Sequence, residues 1–174
     1  MFQIREGEPE CRWLHLNGQI SEEKAPSTAR SFFSLCNMND EFIFLLGSGT
    51  AERFNIKKKI WETLPDMAIE RQGAASCALN GSVFVFFGQD DNQEPLSSFE
   101  KLINANKNIR QMEFLLVETN MDRLSRWLPA VAPINAYEIA ILGGFRSIDD
   151  VDSCLGDVYL FNTLTDDFEQ RVKN

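Results

Sequence analysis

The chain of 174 residues contains few of the side chains that most often bind metals or perform acid–base chemistry. Histidine occurs once, at His15, which excludes a site built from two histidines and leaves one candidate general base. We expect His15 to have a surface or packing role, because it falls on a predicted outer strand. The four cysteines are widely spaced, and none belongs to a C-x-x-C pair. We therefore expect reduced thiols that pack in the interior, no metal and no cofactor.

Basic residues and long apolar segments are scarce as well. Lysine and arginine number 17 against 26 acidic residues, a net charge of −9. Nucleic-acid binding needs a basic face, so we expect no nucleic acid; an acidic protein permits a basic partner without requiring one. No apolar run approaches the roughly 18 residues of a membrane helix, so we expect no membrane. The N-terminal segment MFQIREGEPE has no apolar core. It predicts no signal peptide and, with reduced thiols, a cytoplasmic protein.

Three marker residues recur along the chain and reveal an internal repeat. The spacing Arg-x8-Asn-x7-Gly begins at Arg30, again at Arg71 and again at Arg126, without gaps. The segments before the glycine align as FIFLL, VFVFF and EIAIL. Asn80-Gly81 is a strong hairpin signal, so the small-residue segment before it and the apolar segment after it are predicted to be paired strands. Two further strand-like segments follow in each copy, which predicts four strands per unit.

Four antiparallel strands per unit at this spacing are typical of a β-propeller blade. In a propeller the second strand is buried between neighbouring blades, which explains its continuous apolar character here. We predict one repeat region over 1–174. Its parts are an outer strand of a preceding blade at 10–16 and blades at 30–64, 71–117 and 126–172.

The residues at the ends of the predicted strands resemble the kelch repeat. The resemblance rests on paired glycines after an apolar strand, two aromatic residues further on, and an aromatic residue after the next turn: Gly143-Gly144, Tyr159 and Phe161, and Trp61 or Phe168. The segment Trp61-x-x-Leu64-Pro65-x-Met67-x3-Arg71 resembles the join between two kelch blades. Only the third unit keeps both glycines. The fold class we predict is all-β: a kelch-type β-propeller segment of four-stranded antiparallel blades, with about three blades and one extra strand.

Three blades are fewer than the roughly four to eight that close a propeller. A fragment, a partial gene model and a subunit that pairs with another copy remain open. Uncovered blade flanks would expose apolar side chains, and such surfaces drive association. We therefore expect self-association, and a clean monomer at high concentration in sedimentation would contradict this.

The resemblance implies a function in protein binding rather than catalysis. We expect a non-enzymatic protein–protein interaction module that binds a partner through the loops of one face, as a scaffold or as the substrate-recognition part of a larger assembly. The rival is a fragment of a kelch-like propeller enzyme of the sugar oxidase type, which binds copper through Tyr and His. This chain has two tyrosines and one histidine, too few for that chemistry. A third alternative is a truncated copy without function.

Two sets of charged residues are candidates for partner binding. Three arginines begin the innermost strands and should lie near the channel mouth: Arg30, Arg71 and Arg126. They either bond neighbouring carbonyls and carboxylates or contact a ligand carboxylate. Six acidic residues fall in loops after the second strands: Asp90, Asp91, Glu94, Asp149, Asp150 and Asp152. They are either solvated loop charges or contacts for a basic partner. Together the two sets predict an acidic rim around a basic centre.

Overall fold

The computed structural model describes residues 11–14, 19–23, 25–27, 31–119, 121–146 and 154–172. Within these ranges the chain forms fourteen β-strands and no α-helix. Two 3₁₀ turns, Ile109–Gln111 and Asp122–Leu124, are the helical segments of the described residues. The all-β part of the prediction is therefore confirmed. In the described part of the chain, no helix has the length and apolar character needed to cross a membrane.

Twelve of the strands form three four-stranded sheets, and the other two form an antiparallel pair. The pair is β1 (Cys11–Leu14) with β2 (Ile20–Glu23). The first sheet contains β3 (Ser34–Met38), β4 (Phe42–Gly47), β5 (Thr50–Asn55) and β6 (Ile60–Thr63). The second contains β7 (Ala75–Leu79), β8 (Ser82–Phe86), β9 (Phe99–Ile103) and β10 (Glu113–Val117). The third contains β11 (Ala130–Pro133), β12 (Glu138–Leu142), β13 (Val158–Asn162) and β14 (Asp167–Val172). Within each sheet every strand pairs antiparallel with the next along the chain, as the sequence predicts.

The turn between the first two strands of a sheet depends on the repeated asparagine. Asn39 and Asp40 have φ values of 53° and 52°, and Asn80 and Gly81 have 51° and 75°. Two successive left-handed residues match the twist of paired strands, and these residue types tolerate that conformation. The third sheet uses a longer connection, in which the Oδ1 of Asn135 accepts hydrogen bonds from two following backbone amides. The asparagine therefore keeps a turn-forming role in a different geometry.

Two apolar cores hold the three sheets face to face. The first lies between the first and second sheets and includes Phe42, Phe44, Leu46, Val83, Val85 and Leu102. The second lies between the second and third sheets and includes Phe84, Phe86, Phe99, Ile139, Ile141 and Phe161. Strand β8 supplies alternate residues to the two cores, so both of its faces are buried. This explains why its sequence is continuously apolar instead of alternating.

The face of the third sheet that points away from the second core is partly exposed. Leu142 is 42% exposed, although its neighbour Ile141 is fully buried. Ala130, which pairs with Leu142, is exposed as well. The outer face of the first sheet differs, since Leu45 and Phe54 are only 1% and 3% exposed. The predicted self-association would use the exposed face of the third sheet, and it stays a prediction.

The first strands of the three sheets are neighbours, with β7 lying between β3 and β11. We call the segment just before each of these strands a lead segment. The lead segments are 31–33, 71–74 and 126–129. The Gly73 amide donates to the Phe32 carbonyl at a distance of 2.9 Å, and the Leu128 amide donates to the Gly73 carbonyl at a distance of 2.7 Å. These three residues hold one repeat position and share left-handed φ values of 50°, 61° and 49°. The same bond therefore joins successive repeats at the same position.

The glycine after the second strand permits a close approach of two backbones. At Gly88, where φ is 94°, a Cβ would lie 2.8 Å from the Gln72 carbonyl oxygen and 3.1 Å from the Ala74 nitrogen. At Gly144 a Cβ would lie 2.8 Å from the Trp127 carbonyl oxygen. In both sheets the glycine thus lets the lead segment cross the end of the second strand.

We expect Gly88→Ala to lower the free energy of unfolding by about 3 kcal/mol, because it adds a backbone clash to an unfavourable φ. Gly81→Ala is the matched control. Its φ is 75°, yet the nearest atom to a Cβ would lie 3.4 Å away. The control should cost only about 1 kcal/mol. Urea unfolding of both variants checks the difference, and equal losses would contradict the close approach.

Candidate partner-binding face

Arg71 is buried in the second repeat unit, and its side chain donates four hydrogen bonds to residues of that unit. Its side chain is fully buried, and Nε donates to the Oε1 of Glu100 over 2.9 Å. Nη1 donates to the carbonyls of Phe87 and Ser98, and Nη2 donates to the Ser98 hydroxyl. Each of these three donor–acceptor distances is 3.0 Å. Burial lowers the pKa of Arg71, while the hydrogen bond and charge of Glu100 oppose that shift. The pair therefore fixes the lead segment to β9.

Arg126 has the equivalent role in the third sheet, with a different acid. It is fully buried and forms a bidentate pair with Asp157, with distances of 2.7 Å and 3.2 Å. It also donates to the carbonyls of Leu124 and Gly143, each over 3.0 Å. The guanidinium carbon lies 5.1 Å from the centre of the Tyr159 ring, a cation–π contact. The lead segment of this sheet is thus fixed from several sides.

The burial and hydrogen bonds of Arg71 and Arg126 bear on the two roles that the sequence leaves open for the arginines, a structural role and contact with a ligand carboxylate. Arg71 and Arg126 are both 0% exposed and bond to carbonyls and carboxylates of their own units. A ligand carboxylate cannot reach a guanidinium that is already enclosed in this way, so the structural role applies to both. A basic centre at the surface therefore does not form from these two residues. Arg30 lies outside the described residues.

The first unit repeats the carboxylate half of this arrangement. The Oε1 of Glu52 accepts hydrogen bonds from the amide and the hydroxyl of Ser27, over 2.9 Å and 2.8 Å. In the second unit, the Oε2 of Glu100 accepts from the amide of Ala68 over 2.7 Å. Ser27 and Ala68 are separated by 41 residues, the same shift that aligns the first two repeats. A buried glutamate on the third strand thus holds the incoming chain in both units.

Asp90 organises the loop that follows β8. Its Oδ1 accepts hydrogen bonds from the amides of Asn92 and Glu94, both over 2.9 Å. The bond from Glu94, followed by those from Asn92, lowers the pKa of Asp90. The predicted site residues therefore differ in role. Asp90 shapes the loop, whereas Asp91 and Glu94 are exposed at its tip.

Asp91 influences the charge of the crossing between the first and second sheets. Hydrogen bonding with the Asp91 side chain, followed by charge repulsion from it, raises the pKa of Glu70. Glu70 belongs to the crossing at 65–70, and Asp91 belongs to the loop at 88–97. The sequence predicts that these two segments emerge on one side. Both residues are exposed, so two acidic side chains lie on the surface of these segments.

A cavity of about 260 Å³ opens beside this acidic pair. Its walls are Phe32, Gln72, Gln89, Asp90, Asp91, Gln93 and Trp127. Gln72 and Trp127 directly follow Arg71 and Arg126 in the sequence. The residue after each buried arginine therefore lines the cavity, while the arginine itself fixes the segment behind it. Sequence reasoning identified the two acids of this wall and missed the aromatic and amide side chains, whose types differ from one repeat to the next.

Two residues of the cavity wall have a buried side-chain nitrogen without a hydrogen-bond partner. The atoms are Gln89 Nε2 and Trp127 Nε1, and no other buried side-chain nitrogen or oxygen of the described residues is in this state. Gln89 is 5% exposed, and its backbone exchanges hydrogen bonds of 2.8 Å and 2.9 Å with Gln72. Trp127 exchanges two backbone bonds of 3.0 Å with Phe145. A buried donor without a partner costs roughly 1–3 kcal/mol, so these two nitrogens lower the stability of this region.

The remaining predicted site residues fall elsewhere. Four of them, with the single histidine, lie outside the described residues: Arg30, Asp149, Asp150, Asp152 and His15. Among the described residues, no group of three or more His, Cys, Asp or Glu side chains could hold a metal ion.

The cysteines on the first strands have environments that suppress thiolate formation. Cys36 on β3 and Cys77 on β7 hold one repeat position, and both are free thiols. Burial raises the pKa of Cys36 to about 12 and that of Cys77 to about 11. Both therefore stay protonated at neutral pH and are poor nucleophiles. This agrees with the packing role that the sequence predicts for them.

Comparison with known proteins assigns no family to the chain. No protein-family model matches it, and no curated protein matches it. The resemblance to the kelch repeat therefore rests on the motifs quoted above, and the function must be argued from the geometry of this face.

We expect Arg71→Met to lower the free energy of unfolding by about 3–5 kcal/mol, because it leaves the buried Glu100 carboxylate without its cation. Arg171→Met is the control, since its ion pair with Glu169 is exposed on both sides. The control should change the free energy by less than about 0.5 kcal/mol. Urea unfolding measures both. A loss of all folded protein with Arg71→Met alone agrees with the anchor, whereas equal effects of the two substitutions contradict it.

Proposed function

We propose that the three sheets are blades of a kelch-type β-propeller and that the chain is a non-enzymatic module for protein interaction. Two observations support the propeller. The first strands lie side by side, and the same backbone bond joins successive lead segments. A rotational repeat of blades would produce this relation, whereas three unrelated sheets would have no reason to share it.

The cavity beside the acidic loop carries the proposal of partner binding. It combines exposed Phe32, partly exposed Trp127 and the exposed, acidic Asp91. Aromatic side chains next to polar groups are typical of the energetic centre of a protein interface. The net charge of −9 favours a partner with a basic contact surface. We infer that the partner docks on the face formed by this loop and the 65–70 crossing.

We further propose that the module works in the cytoplasm as a scaffold or recognition part of a larger assembly. Three described cysteines are free thiols, two of them on the neighbouring first strands β3 and β7, and a reducing compartment keeps thiols in this state. The partly exposed face of the third sheet offers a surface for a further blade or a second copy.

We expect the double variant Glu70→Gln/Asp91→Asn to recover less of the partner from a cytosolic extract and to show a weaker dependence on salt. Rim charges act mainly on the association rate, so their loss should slow capture. The fold should persist, because exposed charges contribute little to stability.

The matched control is Asp40→Asn/Glu41→Gln. It removes the same charge from exposed residues in the β3–β4 turn, at the opposite end of the first sheet. The control should recover the same partners as the unmodified chain. If the control loses them and the Glu70/Asp91 variant keeps them, the wrong face has been assigned.

A further inference from the structure

We infer that β1 and β2 are the outer half of a further blade, and that a partner protein completes this blade by donating its two inner strands. The donated part is a lead segment followed by a β-hairpin of the repeat type, with a small-residue strand, an asparagine turn and an apolar strand. The inference rests on the proposed function, because it takes the sheets as blades and the donor as the partner protein.

The pair β1–β2 corresponds to the third and fourth strands of a unit. Moving 52–55 of β5 back by the 41 residues that align the first two repeats gives 11–14, the range of β1. The same shift brings β6 to 19–22, one residue from β2. The chain after β2 is held by the bond from Ser27 to Glu52, as the chain after β6 is held in the second unit. The first two strands of this outer unit are absent from the described residues.

Strand β1 has an edge that is unpaired in the described part of the chain. In each four-stranded sheet the third strand pairs with the second strand on one side and with the fourth on the other. Strand β1 pairs with β2 alone. An open edge presents backbone donors and acceptors to which another strand can add. The second strand of the donated hairpin would pair antiparallel with β1, as β8 pairs with β9.

The outer face of the first sheet is uncovered where such a hairpin would pack. One cross-strand row of this face consists of Leu35 on β3, Leu45 on β4 and Glu52 on β5. Leu45 and Glu52 are 1% and 2% exposed, whereas Leu35 is 47% exposed. Asn37, the next residue of β3 on this face, is exposed as well. The burial of this face therefore stops at the inner strand.

The second sheet shows what covers the same position. Its matching row is Ser76, Val85 and Glu100, which ends on the equivalent glutamate. Ser76 is only 8% exposed, and its hydroxyl lies 2.7 Å from the hydroxyl of Ser34 on β3. Val85 packs in the first core. The first two strands of the preceding unit thus cover this row, and the equivalent strands are missing in front of the first sheet.

The backbone ladder of the lead segments is open at the same place. Gly73 and Leu128 each donate their amide to the lead segment of the preceding unit. Phe32 holds this position in the first unit, and its amide has no acceptor among the described residues. The lead segment of the donor would supply that carbonyl. Strand edge, uncovered face and free amide therefore point to one occupant, an inner half-unit of the same repeat.

The contacts of the donor determine its source and one of its residues. The marker spacing occurs three times in the sequence, once for each four-stranded sheet, so we assign the fourth copy to a partner. The donor residue that faces Leu35 corresponds to Ser34, which faces Ser76. A serine there would bury its hydroxyl against a leucine, so an apolar residue is required. Ala75 is the residue at that position in the second unit.

The test measures binding of a hairpin peptide to the purified ¹⁵N-labelled full chain by NMR. The probe is 71–88 of this chain with a lysine tail for solubility, since it contains a lead segment, β7 and β8. The control peptide carries Val83→Pro and Val85→Pro, which keep it apolar and prevent strand pairing. We expect the probe to shift the amide signals of Phe32, Leu35 and β1 saturably. It should slow exchange of the Phe32 amide roughly tenfold or more. The control should cause neither change.

Two matched variants locate the site. Leu35→Asp and Leu142→Asp place the same charge on leucines that are 47% and 42% exposed, on opposite flanks of the three sheets. Leu35→Asp should weaken the probe roughly tenfold or more, because the hairpin would bury the new charge. Leu142→Asp should leave the affinity unchanged. Both positions are exposed, and unshifted amide signals of β8 check that each variant is folded.

Equal binding of the two peptides, or no change at Phe32 and Leu35, would overturn the inference. Loss of binding with Leu142→Asp instead of Leu35→Asp would also overturn it, by assigning the hairpin to the open face of the third sheet. Partner capture that depends on Glu70 and Asp91, without binding of the hairpin, would leave the proposed function standing and remove this site. Hairpin binding without such capture would keep the completed blade and remove the docking face.

Discussion

Burial of one arginine in each of the second and third units is the constraint on which the described face depends. Arg71 and Arg126 stand just before the first strand of their sheets, and each is neutralised by an acid of its own unit. A buried charge is tolerated only when it is paired and fully hydrogen-bonded, so the path of the lead segment is narrowly determined. The next residues, Gln72 and Trp127, are thereby held in the cavity wall.

The lead segments connect this local anchoring to the whole repeat. Each arginine fixes a segment to its own sheet, and the bonds among Phe32, Gly73 and Leu128 fix successive segments to one another. The apolar cores supply the bulk of the stabilisation, because burial of apolar surface is the main favourable term in folding. Strands β8 and β9 contribute side chains to both cores. The polar anchors instead determine where the sheets begin.

The repeat itself could be predicted from the sequence because its markers have fixed physical roles. The asparagine forms a turn and the second strand is buried on both faces, so spacing and apolar character identify three four-stranded units. Glycine follows that strand because the marker Gly88 in the second unit, and Gly144 directly after the marker Gly143 in the third, approach another backbone. The partners of the arginines could not be predicted in this way. Glu100 lies 29 residues after Arg71 and Asp157 lies 31 residues after Arg126, so no constant spacing identifies the acid. The cavity wall was missed for a related reason: Gln72 and Trp127 hold one repeat position with unrelated side chains.

Amide hydrogen exchange of Gly73 and Leu128 tests the central claim most directly. These two amides carry the bonds between successive lead segments. The account predicts that both exchange only through global unfolding, at the rate of the amides in β8, because opening either bond requires the sheets to separate. Exchange of Gly73 and Leu128 within minutes, under conditions in which the β8 amides stay protected, would contradict it. The three sheets would then be independent units whose lead segments merely pass close to one another.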